Sequence, residues 1–295
     1  MWLVVFSILL SITFWLWIIL KYDKFEREPL KTILFVFVTG GLISVVPAGI
    51  LNDLFDIIAN RYLNFGFFGL PGNNKSILSC GFVGLNEETL KAVATILLIR
   101  RMKGFNEPAD ALVYAMTVAL GFAVFENILY TMKYGLAIFY IRQFNAVPLH
   151  MGLAAIWGMG IAKAKFLHQG KYFSRVLPYV LIAAIIHAIY NYSTYLIIHP
   201  VLTIIVLSGV AFFLIRFAIR KVKRYAEDGP FANRLFCHAC GTVNFPDERT
   251  CKTCGEKFHL EFYVLCQRCN ARVSKIAPAC PRCGEDFGDK PTKTL

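Results

Sequence analysis

The 295-residue chain has 57% hydrophobic and only 17% charged side chains, with a mean hydropathy of +0.55. This composition excludes an ordinary soluble protein and predicts that much of the chain lies in a lipid bilayer. The net charge of +12 could indicate nucleic-acid binding, but the basic surplus lies within residues 1–225, and residues 226–295 are nearly neutral. Nucleic acid is therefore not an expected partner.

Seven apolar segments are each long enough to cross the hydrocarbon core as a helix, which needs roughly 17 to 25 residues. They are predicted near residues 2–20, 31–51, 77–99, 111–131, 146–162, 176–198 and 200–217. The first segment lacks the basic start and the small-residue cleavage site of a signal peptide, so we expect a retained span. Only His199-Pro200 separates the last two segments, which form either a tight hairpin or one kinked helix.

Lys and Arg cluster in the loops after the first, third, fifth and seventh spans, and few occur in the loops between. The positive-inside rule then predicts a protein of the cell membrane with its N-terminus outside and its tail in the cytoplasm. The outer loop at 52–76 is rich in Gly, Pro and aromatic residues, and we expect either an interfacial or re-entrant segment or a plain surface loop.

Four predicted spans contain polar side chains, which are costly in a membrane and often mark a functional site. They are Glu87, Glu88 and Lys91 in the third span, Glu126 and Asn127 in the fourth, His150 in the fifth, and His187 and Asn191 in the sixth. Counted from the cytoplasmic ends, they lie at similar depths, roughly 20 to 24 Å along their helices. The pattern predicts one polar site in the outer half of the bilayer; the alternative is an interhelical clamp with neutral packing histidines.

The tail, residues 226–295, carries eight of the nine cysteines in four Cys-x-x-Cys pairs. They are Cys237, Cys240, Cys251 and Cys254, then Cys266, Cys269, Cys280 and Cys283, each of the second set 29 positions after its counterpart. Four thiolates on two such knuckles are the ligands of a structural zinc ion, and Gly at the knuckle ends permits a positive φ. The fold class is therefore an all-α multi-pass membrane bundle, residues 1–225, followed by two zinc ribbons with one zinc each.

The membrane half resembles the PrsW family of membrane proteases, which belongs to a superfamily that includes CAAX-prenyl endopeptidases and bacteriocin-processing enzymes. Glu87-Glu88-Thr89-Leu90-Lys91 is similar to the family's Glu-Glu-x-x-Lys motif, and Phe122-Ala123-Val124-Phe125-Glu126-Asn127 is similar to its Phe-Ala-x-x-Glu-Asn motif. His150 and His187 fall where the later histidine motifs are expected, and residues 22–29 are similar to the family's segment after the first span. The tail lies outside the resemblance.

The resemblance implies an intramembrane endopeptidase of the glutamic type, with membrane-anchored proteins, such as anti-sigma factors, as the substrate class. Glu87 or Glu88 would act as general base on a water molecule, while His150, His187 and Asn191 orient and stabilise the reacting carbonyl. Lys91 would keep one glutamate ionised, and Glu126 with Asn127 would line the site or hold the water. This interpretation requires no metal in the membrane site.

Two other functions are compatible with the same residues. Buried acidic and basic groups on facing helices also form proton pathways and transporter sites, although no inverted repeat is evident and the acids share one depth. A zinc-dependent protease could instead use Glu126, His150 and His187 as ligands, although the sequence lacks a His-Glu-x-x-His helix. The ribbons are expected to bind a protein partner, since their near-neutral charge disfavours phosphate binding.

Overall fold

A computed structural model of the chain shows two compact units, Met1–Lys223 and Arg224–Leu295. The structure describes residues 2–23, 28–62, 77–100, 102, 104–166, 172–196, 199–228, 235–237, 239–240, 242–244, 250–258, 263–266, 272–274, 279–280, 285–287 and 293–294. Each unit is described by itself below.

Eight α-helices occur in the described residues. They are α1 (Trp2–Tyr22), α2 (Leu30–Tyr62), α3 (Ile77–Ile99), α4 (Pro108–Tyr134), α5 (Leu136–Phe144), α6 (Ala146–Phe166), α7 (Tyr172–Leu196) and α8 (Pro200–Asp228). Six helical segments are long and apolar enough to cross a membrane, namely Val5–Tyr22, Leu30–Ala59, Pro108–Tyr134, Leu136–Phe166, Tyr172–Thr194 and Val201–Ala226. The prediction of an all-α, multi-pass membrane bundle is therefore confirmed.

The third predicted span, α3, is not one of these six segments. Its 23 residues make it long enough to cross a bilayer, but it contains Glu87, Glu88 and Lys91 in its middle. All three residues are buried inside the bundle, with at most 4% of each residue exposed. Helix α3 therefore presents its charged groups to its neighbours, as expected for ionisable residues within a membrane.

Two predicted loops are partly helical, because the helices continue beyond the apolar segments from which the spans were predicted. The predicted loop at 52–76 begins as helix, since α2 continues to Tyr62, and residues 63–76 lie outside the described part. The predicted loop between the fourth and fifth spans contains the end of α4 and the short helix α5. Helices α7 and α8 are separate helices, so the alternative of one long kinked helix is wrong.

Helices α4 and α6 form the centre of the membrane unit, and most of their residues are buried. Glycines allow the surrounding helices to approach closely, as small residues commonly do in membrane bundles. A Cβ on Gly121 of α4 would lie 2.1 Å from the carbonyl oxygen of Phe37 on α2. A Cβ on Gly84 of α3 would lie 2.6 Å from the carbonyl oxygen of Ala184 on α7. The latter approach occurs one turn before Glu88 and brings α3 against α7.

Buried acidic side chains fix the connection that precedes α4. Asp110, in the first turn of α4, accepts the backbone N–H groups of Asn106 at 2.8 Å and Glu107 at 2.7 Å. These bonds satisfy donors at the helix start, where the chain has no helical partners for them. Asp23 lies close by, and oxygens of Asp23, Glu107 and Asp110 all lie within 4.8 Å of one another.

The second unit contains five short strands in one sheet, ordered β2-β1-β4-β3-β5. The strands are β1 (Leu235–Phe236), β2 (Val243–Asn244), β3 (Tyr263–Leu265), β4 (Arg272–Ser274) and β5 (Lys293–Thr294). Strands β1 and β2 form the antiparallel hairpin of the first ribbon, and β3 and β4 form that of the second. The two hairpins join through the parallel pairing of β1 with β4, so the ribbons share a sheet.

The 29-residue repeat is visible in the backbone hydrogen bonds of the tail. The N–H of Cys251 donates to the carbonyl of Glu256, and the N–H of Cys280 donates to that of Glu285, both at 2.7 Å. The isolated bridges between residues 250 and 257 and between residues 279 and 286 are related by the same shift. Gly255 has a φ of 75°, as predicted for the end of a knuckle; the other predicted turn residues, Gly241, Asn270 and Gly284, lie outside the described part.

Candidate active site

Glu88 on α3 receives hydrogen bonds from three directions. Its Oε1 accepts from Lys91 Nζ at 2.6 Å and from His187 Nδ1 on α7 at 2.9 Å. Its Oε2 accepts the indole N–H of Trp157 on α6 at 3.0 Å. A fully buried carboxylate is stable only with such donors and a paired cation, both of which it has here. Glu88 therefore ties α3 to α6 and α7, and its oxygens are already occupied.

Glu87, the preceding residue, is bonded on one side only. Its Oε1 accepts a hydrogen bond from Asn52 Nδ2 on α2 at 3.1 Å. Its Oε2 is buried and has no hydrogen-bond partner among the described residues, while His187 Nε2 lies 3.8 Å and Lys91 Nζ 3.9 Å away. A buried carboxylate oxygen without a partner is costly, so this atom marks a position for a water, metal or substrate group.

The two histidines of the cluster donate to their carboxylate partners through different nitrogens. A carboxylate only accepts, so His187 Nδ1 carries the proton that is donated to Glu88, and its Nε2 faces Glu87. An ammonium only donates, so His150 Nδ1 accepts from Lys91 at 2.9 Å. The proton of His150 is then on Nε2, which lies 3.2 Å from Glu126 Oε2. Each histidine thus has its own carboxylate partner, an arrangement that fixes ring orientation and tautomer.

Arg142 on α5 lies at the end of the cluster that contains Glu126. Its Nη2 donates to Glu126 Oε2, and its Nε donates to Asn127 Oδ1, both at 2.6 Å. The guanidinium also lies over the ring of Tyr130, 3.9 Å from its centroid. Glu126 is therefore shared between a cation from α5 and the imidazole of His150 on α6, and Asn127 is held by the same guanidinium.

The structure brings seven of the eight sequence-predicted membrane residues into one connected network: Glu87, Glu88, Lys91, Glu126, Asn127, His150 and His187. Asn191 is the exception. It lies one helical turn after His187 on α7 and is half-buried. Among the described residues, its side chain makes no hydrogen bond to this network.

Four further residues of the network were missed from the sequence: Asn52, Asn86, Arg142 and Trp157. Asn86 Nδ2 donates to Asn52 Oδ1 at 2.8 Å and so steadies the amide that holds Glu87. Asn52 and Arg142 fell in segments predicted as loops, and Trp157 was counted as apolar. Asn86 and Trp157 lie inside predicted spans, but one uncharged polar atom in or near a span is too common to single a residue out.

Glu87, His150 and His187 could also hold a metal ion, because each offers a ligand atom within 4.8 Å of the others. Two imidazoles and one carboxylate are a known ligand set of catalytic zinc. The partly unpartnered Glu87 and the carboxylate behind His187 fit such a site. The third residue of this group is Glu87, whereas the sequence-based alternative had Glu126, which instead bonds to Arg142 and His150.

The first cysteine cluster of the tail, Cys237, Cys240, Cys251 and Cys254, could hold one metal ion, since the four sulfurs lie within 4.8 Å of one another. Hydrogen bonding with Thr242 lowers the pKa of the Cys240 thiol, which favours the thiolate form that binds metal. In the second predicted site, Cys266 and Cys280 are buried. The other two ligands, Cys269 and Cys283, lie outside the described residues.

A family model described as "PrsW family intramembrane metalloprotease" matches residues 28–219, well over half of the chain. The chain belongs to the PrsW family. Three similar proteins are each named Protease PrsW, from Clostridioides difficile (strain 630), Bacillus subtilis (strain 168) and Geobacillus kaustophilus (strain HTA426). They are 28%, 26% and 30% identical over 176, 170 and 176 residues, covering 58% of this chain in each case and 70%, 72% and 70% of those proteins. No solved structure matches the chain significantly.

Membership of the PrsW family supports a membrane protease function for this chain. The matched segment contains the whole hydrogen-bonded network, including Asn52, Trp157 and Arg142. The tail with its cysteines begins after the matched segment ends. The family match therefore covers most of the membrane unit and does not extend to the ribbons.

Proposed function

We propose that this protein is an intramembrane endopeptidase that hydrolyses membrane-anchored protein substrates with a water molecule activated by Glu87. The observation that carries the proposal is the buried Oε2 of Glu87, which lies 3.8 Å from His187 Nε2 and has no hydrogen-bond partner among the described residues. Sequence alone allowed either Glu87 or Glu88 as the base. Glu88 is unsuited to that task because Lys91, His187 and Trp157 already occupy its oxygens.

In the proposed step, Glu87 takes a proton from water as the water oxygen bonds to the carbonyl carbon of the scissile peptide. The same proton then passes to the leaving nitrogen as the C–N bond breaks, giving a carboxylic acid and an amine. His187, with Asn191 one turn further along α7, would donate to or orient the reacting carbonyl. Lys91 Nζ lies 3.9 Å from Glu87 Oε2 and places a positive charge beside the carboxylate that accepts the proton.

A metal-assisted form of the same reaction is the second candidate, favoured by the convergence of Glu87, His150 and His187 and by the family's description as metalloproteases. A divalent metal held by these residues would supply Lewis acidity to the water and the carbonyl. In this form Glu88 would orient His187, and Glu126 would orient His150. Both forms of the reaction require Glu87. Substitution of Glu87 therefore tests whether the protein hydrolyses peptides at this site, but it does not distinguish the two forms.

The activity test uses the full chain in liposomes with a single-pass membrane reporter, comparing wild type with Glu87→Gln. The substitution keeps the size of the side chain and removes its basicity, so we expect cleavage to fall by a factor on the order of 10² to 10⁴. The matched control is Asp53→Asn, which makes the same chemical change at an exposed position on α2 and should cleave normally. Undiminished cleavage by Glu87→Gln would rule out the proposed base.

Metal content separates the two forms of the reaction. A full-length Cys251→Ser/Cys280→Ser variant removes one predicted ligand from each tail site. If this variant retains one metal ion per chain, and adding Glu87→Gln removes that ion, the metal-assisted form is supported. An active variant that contains no metal supports hydrolysis by Glu87 alone.

We also propose that the protein lies in the cell membrane with its N-terminus outside and that the tail binds two zinc ions in the cytoplasm. The charge bias of the loops supports the orientation, and the reducing cytoplasm suits eight thiolate ligands. The ribbons would bind a protein partner or regulate the protease. A reporter fused after Arg224 should be active if it is one that works in the cytoplasm. Activity only of a reporter that works outside the membrane would contradict the proposed topology.

A further inference from the structure

We propose that Arg142 is a positioning residue of the active site, which acts through Glu126 to hold the imidazole of His150 in one orientation with its proton on Nε2. The proposal rests on the function proposed above, because it assumes that His150 serves that reaction. The sequence pattern predicts that Arg142 lies in an outer loop. In the structure it lies on α5 with only 15% of its side chain exposed.

The guanidinium bonds to two neighbouring residues of α4 at once. Nη2 donates to Glu126 and Nε donates to Asn127, both at 2.6 Å, while the ring of Tyr130 lies against its face. A planar guanidinium can make two directed bonds and stack at the same time, whereas a lysine ammonium is a point donor. The geometry therefore depends on arginine in particular and not only on its positive charge.

The effect of Arg142 on His150 passes through one oxygen. Oε2 of Glu126 accepts from Arg142 and also lies 3.2 Å from His150 Nε2. Without the guanidinium, the carboxylate of Glu126 could rotate away, and His150 would lose the acceptor of its Nε2 proton, which is one of the two contacts that hold its tautomer. The Nδ1 lone pair, which faces Lys91 at 2.9 Å, would then no longer be presented in a fixed direction.

Helix α5 is itself anchored by polar contacts to α1. The hydroxyl groups of Ser7 and Tyr140 lie 3.0 Å apart, and the hydroxyl of Ser11 donates to Gln143, the residue after Arg142. Gln143 is buried and Tyr140 is partly exposed. These contacts hold a nine-residue helix that is too short to cross the membrane, and so fix the backbone from which Arg142 reaches Glu126.

The first test reads the tautomer of His150 directly by ¹⁵N NMR of histidine-labelled full-length protein in detergent, with the His150 signals assigned by their loss in His150→Gln. Wild type should show His150 protonated on Nε2. In Arg142→Met, where Lys91 alone still contacts the ring, we expect the population of this tautomer to fall, while Lys133→Met, which removes an exposed cation from the end of α4, should leave it unchanged. An unchanged His150 tautomer in Arg142→Met would overturn the proposal.

The second test measures cleavage of the membrane reporter. Arg142→Met should lower kcat about 10- to 100-fold, as loss of residues that orient a ligand or catalytic group commonly does, with little change in KM. Arg142→Lys should recover only part of this loss. Because Arg142 acts through Glu126, the Arg142→Met/Glu126→Gln variant should be no slower than the slower single variant. Independent, multiplying losses would contradict the proposed route.

The double variant also removes both charges together, so it tests the proposal even if Arg142→Met alone folds poorly. The two readouts separate the possible failures. An Arg142-dependent tautomer in a wild-type protein that cleaves no reporter would support the positioning role and remove the proposed function. Active wild-type protein whose His150 tautomer does not depend on Arg142 would support the proposed function and overturn the positioning role.

Discussion

The cysteine cluster of the tail and the carboxylate–histidine cluster of the membrane unit gather ligand-type side chains in different ways. The tail cluster comes from residues 237–254, where two knuckles and a short hairpin bring four sulfurs together. The membrane cluster draws on α2 through α7, with bonded residues as far apart as Glu88 and His187. The first cluster is determined by local spacing, and the second by the packing of whole helices.

The two clusters also differ in what neutralises their charges. Four thiolates would carry a net negative charge that a bound metal ion would offset, so we expect the tail to require its ion to fold. In the membrane unit, Lys91 and Arg142 already pair with Glu88 and Glu126. We therefore expect the membrane cluster to form without a metal and the ribbon to need one, and the following predictions test this difference.

The largest effect is expected from Cys251→Ser, which removes a buried ligand of the first ribbon. Three remaining thiolates bind zinc much more weakly, so we expect the metal content to fall by one ion per chain and the first ribbon to lose its fold. Elemental analysis of purified full-length protein measures the first effect. The matched control is Cys80→Ser in α3, outside both ribbons, which should leave the metal content unchanged. A full metal complement in Cys251→Ser would show that this ribbon is held without its predicted ion.

The second prediction concerns Glu88, the anchor of the membrane cluster. In Glu88→Gln, an amide nitrogen would meet donors from Lys91, His187 and Trp157, and Lys91 would lose its closest counter-charge. Breaking a buried ion pair in this way costs about 3–5 kcal/mol, so the free energy of unfolding should fall by that order.

Denaturation in mixed micelles of full-length protein would measure this change. Asp53→Asn, the exposed carboxylate-to-amide control, should have little effect. Glu88→Gln/Lys91→Met removes both charges and should recover part of the loss. If Glu88→Gln were as stable as wild type, charge pairing would not be what holds this cluster together.

These differences explain which features the sequence could reveal. The helical bundle was predictable because the bilayer demands long apolar segments, and the cysteine repeat was predictable because ligand spacing is local. Glu87, Glu88, Glu126, His150 and His187 could be singled out because ionisable groups are rare at such depths. Their common depth also indicated that they could meet, as the hydrogen-bond network now shows.

The roles within the network could not be read from the sequence. Whether Glu87 or Glu88 has a free oxygen depends on Trp157 and Asn52, which reach them from other helices. The sequence pattern predicts that Arg142 is a charged loop residue, whereas in the structure it lies on α5 and bonds to Glu126. Such contacts depend on helix rotation and close packing, which a single sequence does not specify.

The smallest effect, and the sharpest test of helix packing, is expected from two alanine substitutions in α3. A Cβ on Gly84 would lie 2.6 Å from the carbonyl oxygen of Ala184 and 3.0 Å from the amide nitrogen of Ala188, the residue after His187. Both are backbone atoms, so α3 and α7 must move apart in Gly84→Ala. Overpacking of this kind costs about 1–3 kcal/mol. The same movement lengthens the contact between Glu88 and His187, and we therefore expect lower reporter cleavage together with lower stability.

Gly81, one turn earlier in the same helix, provides the control, because a Cβ there would meet nothing within 4 Å. Gly81→Ala should be neutral or slightly stabilising, since alanine favours helix by about 1 kcal/mol over glycine. Mixed-micelle denaturation and reporter cleavage of the two variants give the comparison. If Gly84→Ala matched Gly81→Ala in both, close packing of α3 on α7 would not be what aligns Glu88 with His187. A loss confined to Gly84→Ala would instead show that the membrane cluster depends on interhelical distance, which has no counterpart in the locally spaced cysteines of the tail.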